Sequence, residues 1–326
     1  MKICIYGAGA VGGLVAARLA RADHDVSVVA RGAHLTEILA RGLRVRSASD
    51  GDFTARIRAN VDPARLGEQD YVIVAVKGQS LPQVAANIAP LLGEHTSIVT
   101  AMNGVPWWFF DRLPFGNGQL RLETLDPGGA LARAMPTERI VGCVIHLAAS
   151  TPEPGVIQHN MGKRLILGEP GGRNTARTAR LAEALAGAGF EAVQSPFIEK
   201  DFWVKLLGNV SFNPVSALTL ATANRLLADA QVKAYMVAIM REVLAIGRAA
   251  GVDADIDPEA RMDMARHLGV FKTSMLQDLE AGKALEIDGL LTGTLEIAAK
   301  TGVAAPFTES LLGLARLRAQ STGQYP

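Results

Sequence analysis

The pattern of apolar and polar positions changes character near residue 196. Before that point, short β-branched runs alternate with segments of helical periodicity, which is typical of βαβ units and a mostly parallel sheet. We predict strands at residues 2–6, 25–30, 71–76, 96–101, 140–147, 164–170 and 190–194, and helices at residues 10–22, 33–42, 80–92 and 174–187. The two strands after residue 140 lie close together without a helix between them, so that edge of the sheet is predicted to be antiparallel.

After residue 196 the strand pattern stops and helical periodicity continues. The predicted helices, separated by short turns with Gly or Pro, cover residues 198–212, 229–250, 258–268, 284–300 and 307–318. We therefore predict an α/β fold of two domains. A Rossmann-type, mostly parallel sheet domain covers residues 1–196, and an all-helical C-terminal domain covers residues 197–326.

A glycine-rich turn follows the first predicted strand and opens the first predicted helix. Its sequence, GAGAVGG, places Gly7, Gly9 and Gly12 in the GxGxxG spacing. In this context the first glycine permits a tight turn, the second lets a pyrophosphate approach the backbone, and the third lets helix and strand pack closely. Phosphates would then meet free N–H groups at the positive end of the helix. The pattern predicts a dinucleotide-binding site.

Residues beyond the next strands indicate which dinucleotide binds. Arg31 follows the second strand, where an NAD-preferring site usually has an acidic residue. A guanidinium can bind a 2′-phosphate through paired donors, whereas a carboxylate would repel it, so NADP(H) is the predicted cofactor. Lys77 and Gln79 follow the strand at 71–76, and Lys77 is a candidate contact for the adenosine phosphate or ribose.

Asn103 follows the strand at 96–101 in the same way and is followed by Gly104. Its amide is a candidate for holding the nicotinamide ribose or the substrate, since ligands of open α/β sheets bind beyond the carboxyl ends of the strands. An ordinary Asn-Gly turn is the alternative interpretation.

The stretch WVKLLGNVSFNP, residues 203–214, carries polar residues on a mostly apolar helix. Lys205, Asn209 and Asn213 recur every four positions, and four-residue steps drift by only about 40° around a helix, so the three form one stripe. Pro214 is expected to bend or end the helix. The stripe contains no Glu, Arg or Gln, which favours a cleft over open solvent.

A second polar cluster lies in the stretch KTSMLQDLEAGKALEIDGL. It contains Ser274, which is also a candidate helix N-cap, and Glu286, which sits among apolar neighbours. An acid at this position could pair with a lysine or be one more exposed charge.

Composition excludes several classes of function. Lys+Arg is 33 and Asp+Glu is 32, so a formal net charge of +1 gives no basis for nucleic-acid or anionic-membrane binding. Two cysteines lie in apolar runs and six histidines are scattered, so we predict reduced buried thiols and no metal site. Glycines and Arg18 interrupt the apolar N-terminus, which argues against a signal peptide, and a cytoplasmic location is expected.

Taken together, KICIYGAGAVGG, VAVKGQ, MNG, WVKLLGNVSFNP and TSMLQDLEAGKALEIDG resemble the ketopantoate reductase (2-dehydropantoate 2-reductase) family, in its order and over nearly the whole chain. The resemblance implies reduction of a 2-keto acid by NADPH. It implies Lys205 as general acid, with Glu286 orienting the substrate and that lysine. By the same resemblance, Asn209 and Asn213 hold the hydroxyl side of the substrate and Ser274 contacts its carboxylate.

The resemblance further implies that Asn103 lies at the junction of cofactor and substrate, and that Arg31 and Lys77 surround the 2′-phosphate and adenosine ribose of NADP. Lys205 and Glu286 are expected to meet beside the nicotinamide. A small-molecule 2-keto acid is thus the expected partner, and a homodimer is left open.

One segment departs from the family pattern. The stretch after Gly104 is longer than expected and carries four aromatic residues, Trp107 to Phe110. It could cover the cleft, adapt it to a bulkier apolar 2-keto acid, form an interface or be a self-packed surface loop. Two other functions also stay open: a non-catalytic NADP(H) sensor, and a different Rossmann-plus-helical dehydrogenase such as a 3-hydroxy acid enzyme.

Overall fold

The computed structural model describes residues 1–118, 120–173, 175–266 and 269–325. The chain divides into an N-terminal unit, residues 1–102 and 129–198, and a C-terminal unit, residues 103–128 and 199–326. This division differs from the predicted one in the segment 103–128, which the sequence pattern had placed in the first domain. The reason is the burial of its apolar side chains among the helices of the second unit.

The N-terminal unit is a sheet with helices between strands. Its strands within the described residues are β1 Lys2–Tyr6, β2 Asp25–Val29, β3 Leu43–Ser47, β4 Phe53–Ala55, β5 Arg58–Asn60, β6 Gln69–Val74, β7 Leu92–Thr100, β8 Ile140–Glu153, β9 Val156–Gly168 and β10 Glu191–Gln194. Its helices are α1 Ala10–Arg21, α2 Gly32–Arg41, α3 Leu81–Asn87, α4 Ala130–Ala134 and α5 Ala176–Gly187. The start predicted for α5, residue 174, lies outside the described residues.

The strand order is β4-β3-β9-β8-β7-β6-β1-β2-β5, and β10 also pairs with β9. Strand β1 pairs in parallel with both β2 and β6, so the strand order reverses beside β1. In open α/β sheets such a reversal leaves a crevice beyond the carboxyl ends of the strands. The glycine-rich turn begins at this point.

Two features of the sheet differ from the prediction. The short strands β3, β4 and β5 were not predicted, although β3 alternates buried and exposed residues as a half-buried strand does. Strands β8 and β9 pair antiparallel as predicted. They were expected at an edge of the sheet but lie inside it, because β3 pairs in parallel with the other side of β9.

Cys4 and Cys143 are buried free thiols, as predicted, and burial raises the pKa of Cys4 to about 12.

The C-terminal unit is helical. Its helices within the described residues are α6 Ile198–Thr219, α7 Ala223–Ala228, α8 Ala230–Ala249, α9 Pro258–Arg266, α10 Ser274–Glu280, α11 Gly293–Thr301 and α12 Pro306–Ser321. A π-helical turn, Asp288–Thr292, precedes α11, where the sequence had predicted one helix over 284–300. The predicted end of α9 at residues 267–268 lies outside the described residues.

Helix α6 does not end at Pro214, contrary to the prediction; it continues to Thr219. Proline removes one backbone donor from the helix, but residues 210–217 are all buried, and this packing holds the helical path. Ser211 lies within this stretch and donates its hydroxyl to the carbonyl oxygen of Leu207 at 2.9 Å. Tertiary packing therefore overrides the local preference.

The aromatic segment Trp107–Phe110 is part of this core. All four side chains are buried, with Trp108 and Phe109 at 0% exposure. The Trp108 ring lies edge-on to Phe202, with centroids 5.5 Å apart, and Phe109 lies 5.7 Å from Trp203. The interpretation as a surface loop is therefore wrong, because the segment is buried and packs against α6.

Two properties of the described residues bear on wider functions. None of the helices there is long and apolar enough to cross a membrane. The same part of the chain contains no group of three or more His, Cys, Asp or Glu side chains arranged to hold a metal ion.

Candidate functional site

The three glycines of the GxGxxG spacing have three distinct surroundings. Gly7 has φ +103°, a conformation that side chains rarely adopt. A Cβ at Gly12 would overlap the carbonyl oxygen of Gly7 and lie 2.9 Å from the Cβ of Ala75. A Cβ at Gly9 would meet nothing within 4 Å. Gly12 is thus explained by packing, whereas the open space over Gly9 at the start of α1 fits an approaching phosphate group.

His34 supports this turn and was not anticipated from the sequence. Its Nδ1 accepts from the backbone N–H of Gly155 at 2.9 Å, and its Nε2 lies 2.7 Å from the carbonyl oxygen of Ala8. A neutral ring with its proton on Nε2 satisfies both contacts. Burial lowers the pKa of His34, and the bond to Ala8 partly opposes that effect. The partners are distant in sequence, so no local pattern indicated them.

The predicted cofactor-binding residues lie beyond the neighbouring strands β1, β2 and β6. Arg31 is the exposed N-cap position of α2, and its Nη1 donates to Gln83 Oε1 at 3.3 Å. Lys77 is half-buried before the 3₁₀ turn Gly78–Ser80, which contains the exposed Gln79. An added Cβ on Gly7 would lie 2.6 Å from Val76, so the Lys77 loop borders the glycine-rich turn.

The polar stripe of α6 occupies the one partly exposed face of that helix between residues 201 and 217. The half-buried residues are Asp201, Val204, Lys205, Gly208 and Asn209, whose spacing traces a single side of the helix. The remaining residues of this span are buried. Lys205 and Asn209 therefore project from a helix whose other faces are fixed by apolar packing. Trp203, for example, is fully buried, and its Nε1 also donates to the carbonyl oxygen of Val243 on α8 at 3.1 Å.

The structure brings Asn213 and Ser274 together. Asn213 Nδ2 donates to Ser274 Oγ at 3.3 Å, and Asn213 is buried. The N-cap of α10 is Thr273, whose hydroxyl accepts from the N–H of Leu276 at 3.3 Å, so the suggestion that Ser274 is the cap is wrong. Because Thr273 caps the helix, the Ser274 hydroxyl is available to join the polar stripe.

Asn103 lies next to the π-helical turn that follows Glu286. The N–H of Val105 donates to Gly289 at 3.0 Å, and a Cβ on Gly104, at φ +80°, would overlap the Gly289 carbonyl oxygen. Both Asn103 and Glu286 are half-buried. Turns of the π type frequently mark functional sites, because they displace side chains from the regular helical register. The expected meeting of Lys205 with Glu286 stays a prediction.

Residues Gln324 and Tyr325 fasten the segment that carries Glu286. Buried Gln324 donates its side-chain amide to three carbonyl oxygens, the shortest contact being 2.7 Å to Lys283, and its own carbonyl accepts from the N–H of Leu285 at 3.1 Å. Tyr325 donates its hydroxyl to Asp288 at 2.7 Å, and burial followed by this bond raises the pKa of Tyr325 to about 12. The segment on both sides of Glu286 is therefore anchored.

These features define a class: an oxidoreductase with a Rossmann-type unit and a helical unit. The family model described as "Ketopantoate reductase PanE/ApbA" matches residues 3–107, and its C-terminal counterpart matches residues 198–319. The chain belongs to the ketopantoate reductase family.

Individual relatives and solved structures support the same family. The 2-dehydropantoate 2-reductase of Mesorhizobium japonicum is 44% identical over 327 residues, which cover 100% of both chains. A solved structure from Ralstonia solanacearum MolK2, assigned to ketopantoate reductase, is 49% identical, covers 99% of each chain and has a TM-score of 0.95. The 2-dehydropantoate 2-reductase structure from Geobacter metallireducens GS-15 is 31% identical, covers 97% of this chain and 99% of its own, and has a TM-score of 0.85.

Proposed function

We propose that the protein reduces 2-dehydropantoate (ketopantoate) to pantoate with NADPH. The observation that carries this proposal is the half-exposed face of α6, where Lys205 and Asn209 project, continued by the hydrogen bond from Asn213 to Ser274. An ammonium and several neutral hydrogen-bonding groups on a rigid helix suit a substrate with a ketone and a carboxylate. The name of the Mesorhizobium japonicum relative supports the same substrate.

When bound, NADPH supplies a hydride to the ketone carbon. The ketone oxygen then gains negative charge, which the Lys205 ammonium stabilises before donating its proton to complete the hydroxyl. Glu286 orients Lys205 and the substrate, and Asn209 and Asn213 hydrogen-bond the oxygen that becomes the hydroxyl. Ser274 is assigned to the substrate carboxylate.

The cofactor is proposed to be NADPH rather than NADH. The exposed guanidinium of Arg31 at the start of α2 is suited to a 2′-phosphate, and Lys77 offers a second positive charge beside the glycine-rich turn. A tenfold preference for NADPH corresponds to about 1.4 kcal/mol, which one well-placed guanidinium–phosphate contact can supply. Arg31→Met should reduce that preference to near unity. A wild-type protein that prefers NADH would contradict the assignment.

The substrate is tested by steady-state oxidation of NADPH with ketopantoate, beside a panel of branched and aromatic 2-keto acids. We expect ketopantoate to give the highest kcat/KM. A higher kcat/KM for a bulkier acid would support the proposed reaction and identify that acid, rather than ketopantoate, as the substrate. Cofactor binding without turnover of any 2-keto acid would refute the reaction and favour an NADP(H) sensor instead. Turnover of 3-hydroxy acids alone would favour the other class of dehydrogenase.

Two further expectations from the sequence, a cytoplasmic location and a homodimer, stay predictions. Cell fractionation tests the first and sedimentation equilibrium tests the second.

A further inference from the structure

Gly208 leaves an opening on the face of α6 that carries Lys205. It lies three residues after Lys205 and one before Asn209, so it belongs to the same side of the helix. A Cβ built on Gly208 would have one neighbouring atom within 4 Å beyond its own helical backbone, the Nη2 of Arg261 at 3.5 Å. The side chain of Arg261, from α9, therefore borders this opening.

The guanidinium of Arg261 forms no salt bridge with a carboxylate of the described residues. Its Nε is buried and has no hydrogen-bond partner among the described residues. The acids of its own helix are engaged elsewhere: Glu259 pairs with Lys233 at 3.2 Å, and Asp263 lies 3.5 Å from the same lysine. Asp257 accepts from backbone N–H groups in the first turn. Burial lowers the pKa of Arg261.

A buried N–H donor without a hydrogen-bond partner is unfavourable and calls for an acceptor. Arg318 provides a useful contrast, because its Nε is also buried without a hydrogen-bond partner in the described part of the chain. Arg318 lies in the last turn of α12, where the negative end of the helix compensates a cation. Arg261 lies in the middle of α9 and receives no such compensation. Its partner is expected to come from outside the chain.

We propose that Arg261 is a substrate-binding residue that neutralises the carboxylate of the 2-keto acid. The inference rests on the proposed function and extends it. The Ser274 hydroxyl is neutral and already accepts a hydrogen bond from Asn213, so it cannot balance a carboxylate charge by itself. A guanidinium binds carboxylates strongly and with defined orientation. A side chain at position 208 would begin 3.5 Å from the Nη2 of Arg261 and would reduce the open space on this face.

The test measures binding of ketopantoate by calorimetry in the presence of NADP⁺, where no turnover is needed, together with KM and kcat. Arg261→Met keeps the length and apolar stem of the side chain and removes its charge. We expect Kd and KM for ketopantoate to rise at least about tenfold, since charge-assisted hydrogen bonds are the strong ones. The Kd of NADPH should stay unchanged. Thermal stability should be equal or higher, because a buried N–H donor without a partner has been removed.

Arg318→Met is the matched control, with the same chemical change on α12, and should leave the ketopantoate Kd unchanged. A wild-type Kd in Arg261→Met, or an equal rise in Arg318→Met, would overturn the role of Arg261 while leaving the reaction intact. Binding of ketopantoate that depends on Arg261 without any turnover would support the role and refute the proposed reaction. Loss of stability in Arg261→Met without a change in Kd would assign the residue to packing.

Discussion

Replacing Gly9 and Gly12 by alanine, one at a time, separates cofactor binding from packing in the glycine-rich turn. Each change adds a single methyl group. At Gly12 the methyl would overlap the backbone carbonyl oxygen of Gly7 and lie 3.1 Å from Ile5 Cγ2. At Gly9 the methyl meets no atom within 4 Å, and the backbone angles there, φ −67° and ψ −163°, suit alanine.

The expected magnitudes differ accordingly. Overpacking costs about 1–3 kcal/mol, and Gly12→Ala belongs at the upper end because a backbone atom cannot rotate away. For a unit of this size, that corresponds to a fall in Tm of about 2–4 °C per kcal/mol. Gly9→Ala should change the free energy of unfolding by no more than about 0.5 kcal/mol, as a neutral surface change does, and so leave Tm almost unchanged. It should instead raise the Kd of NADPH about tenfold or more, since the methyl occupies the path of the pyrophosphate.

The assay combines thermal melting without ligand and fluorescence titration with NADPH on both variants and the wild type. We expect the two variants to differ: Gly9→Ala keeps its Tm and binds NADPH weakly, whereas Gly12→Ala has a lowered Tm. An unchanged NADPH affinity in a folded Gly9→Ala would refute the placement of the pyrophosphate over that residue.

Two other predictions concern the supports of the site. Gln324→Ala deletes the amide that anchors the segment before Glu286, so it should destabilise the protein by about 1–3 kcal/mol and lower kcat, and an unchanged kcat would separate the anchor from catalysis. Burial lowers the pKa of His34. Its contribution to stability is therefore present above about pH 6.5, the ordinary histidine pKa, and is lost as the pH falls. The reason is that the unfolded chain then binds a proton more readily than the folded ring does. Urea midpoints from pH 7.5 to 5.5 should therefore decline, with a shallower decline in His34→Asn; equal slopes would exclude His34 as a source.

The local patterns of the chain predicted the elements that are long and strongly periodic. Helix α6 and its polar stripe follow from four-residue spacing, and the glycine-rich turn follows from its position after β1. Strands β4 and β5 were missed because they have only three residues each, too few for a clear alternation. Strand β3 was missed because three of its five residues are Arg or Ser, so it lacks an apolar run. The course of α6 beyond Pro214 was also missed, because it depends on burial rather than on local preference.

Contacts between residues distant in sequence account for the other differences. The aromatic segment Trp107–Phe110 was predicted to belong to the first domain, and only its packing on α6 shows that it groups with the helical unit. Thr273 and Ser274 are both good capping residues, and only the geometry of α10 distinguishes them. Gln324 contacts carbonyl groups more than 40 residues away, and no sequence signal indicates such contacts.

The proposal that Lys205 donates the proton is the central claim, and kcat of Lys205→Ala with NADPH and ketopantoate at saturation tests it most directly. We expect kcat to fall about 10²-fold or more, the usual scale for loss of a general acid, and the Kd of NADPH to stay unchanged. A kcat close to that of the wild-type protein would contradict it.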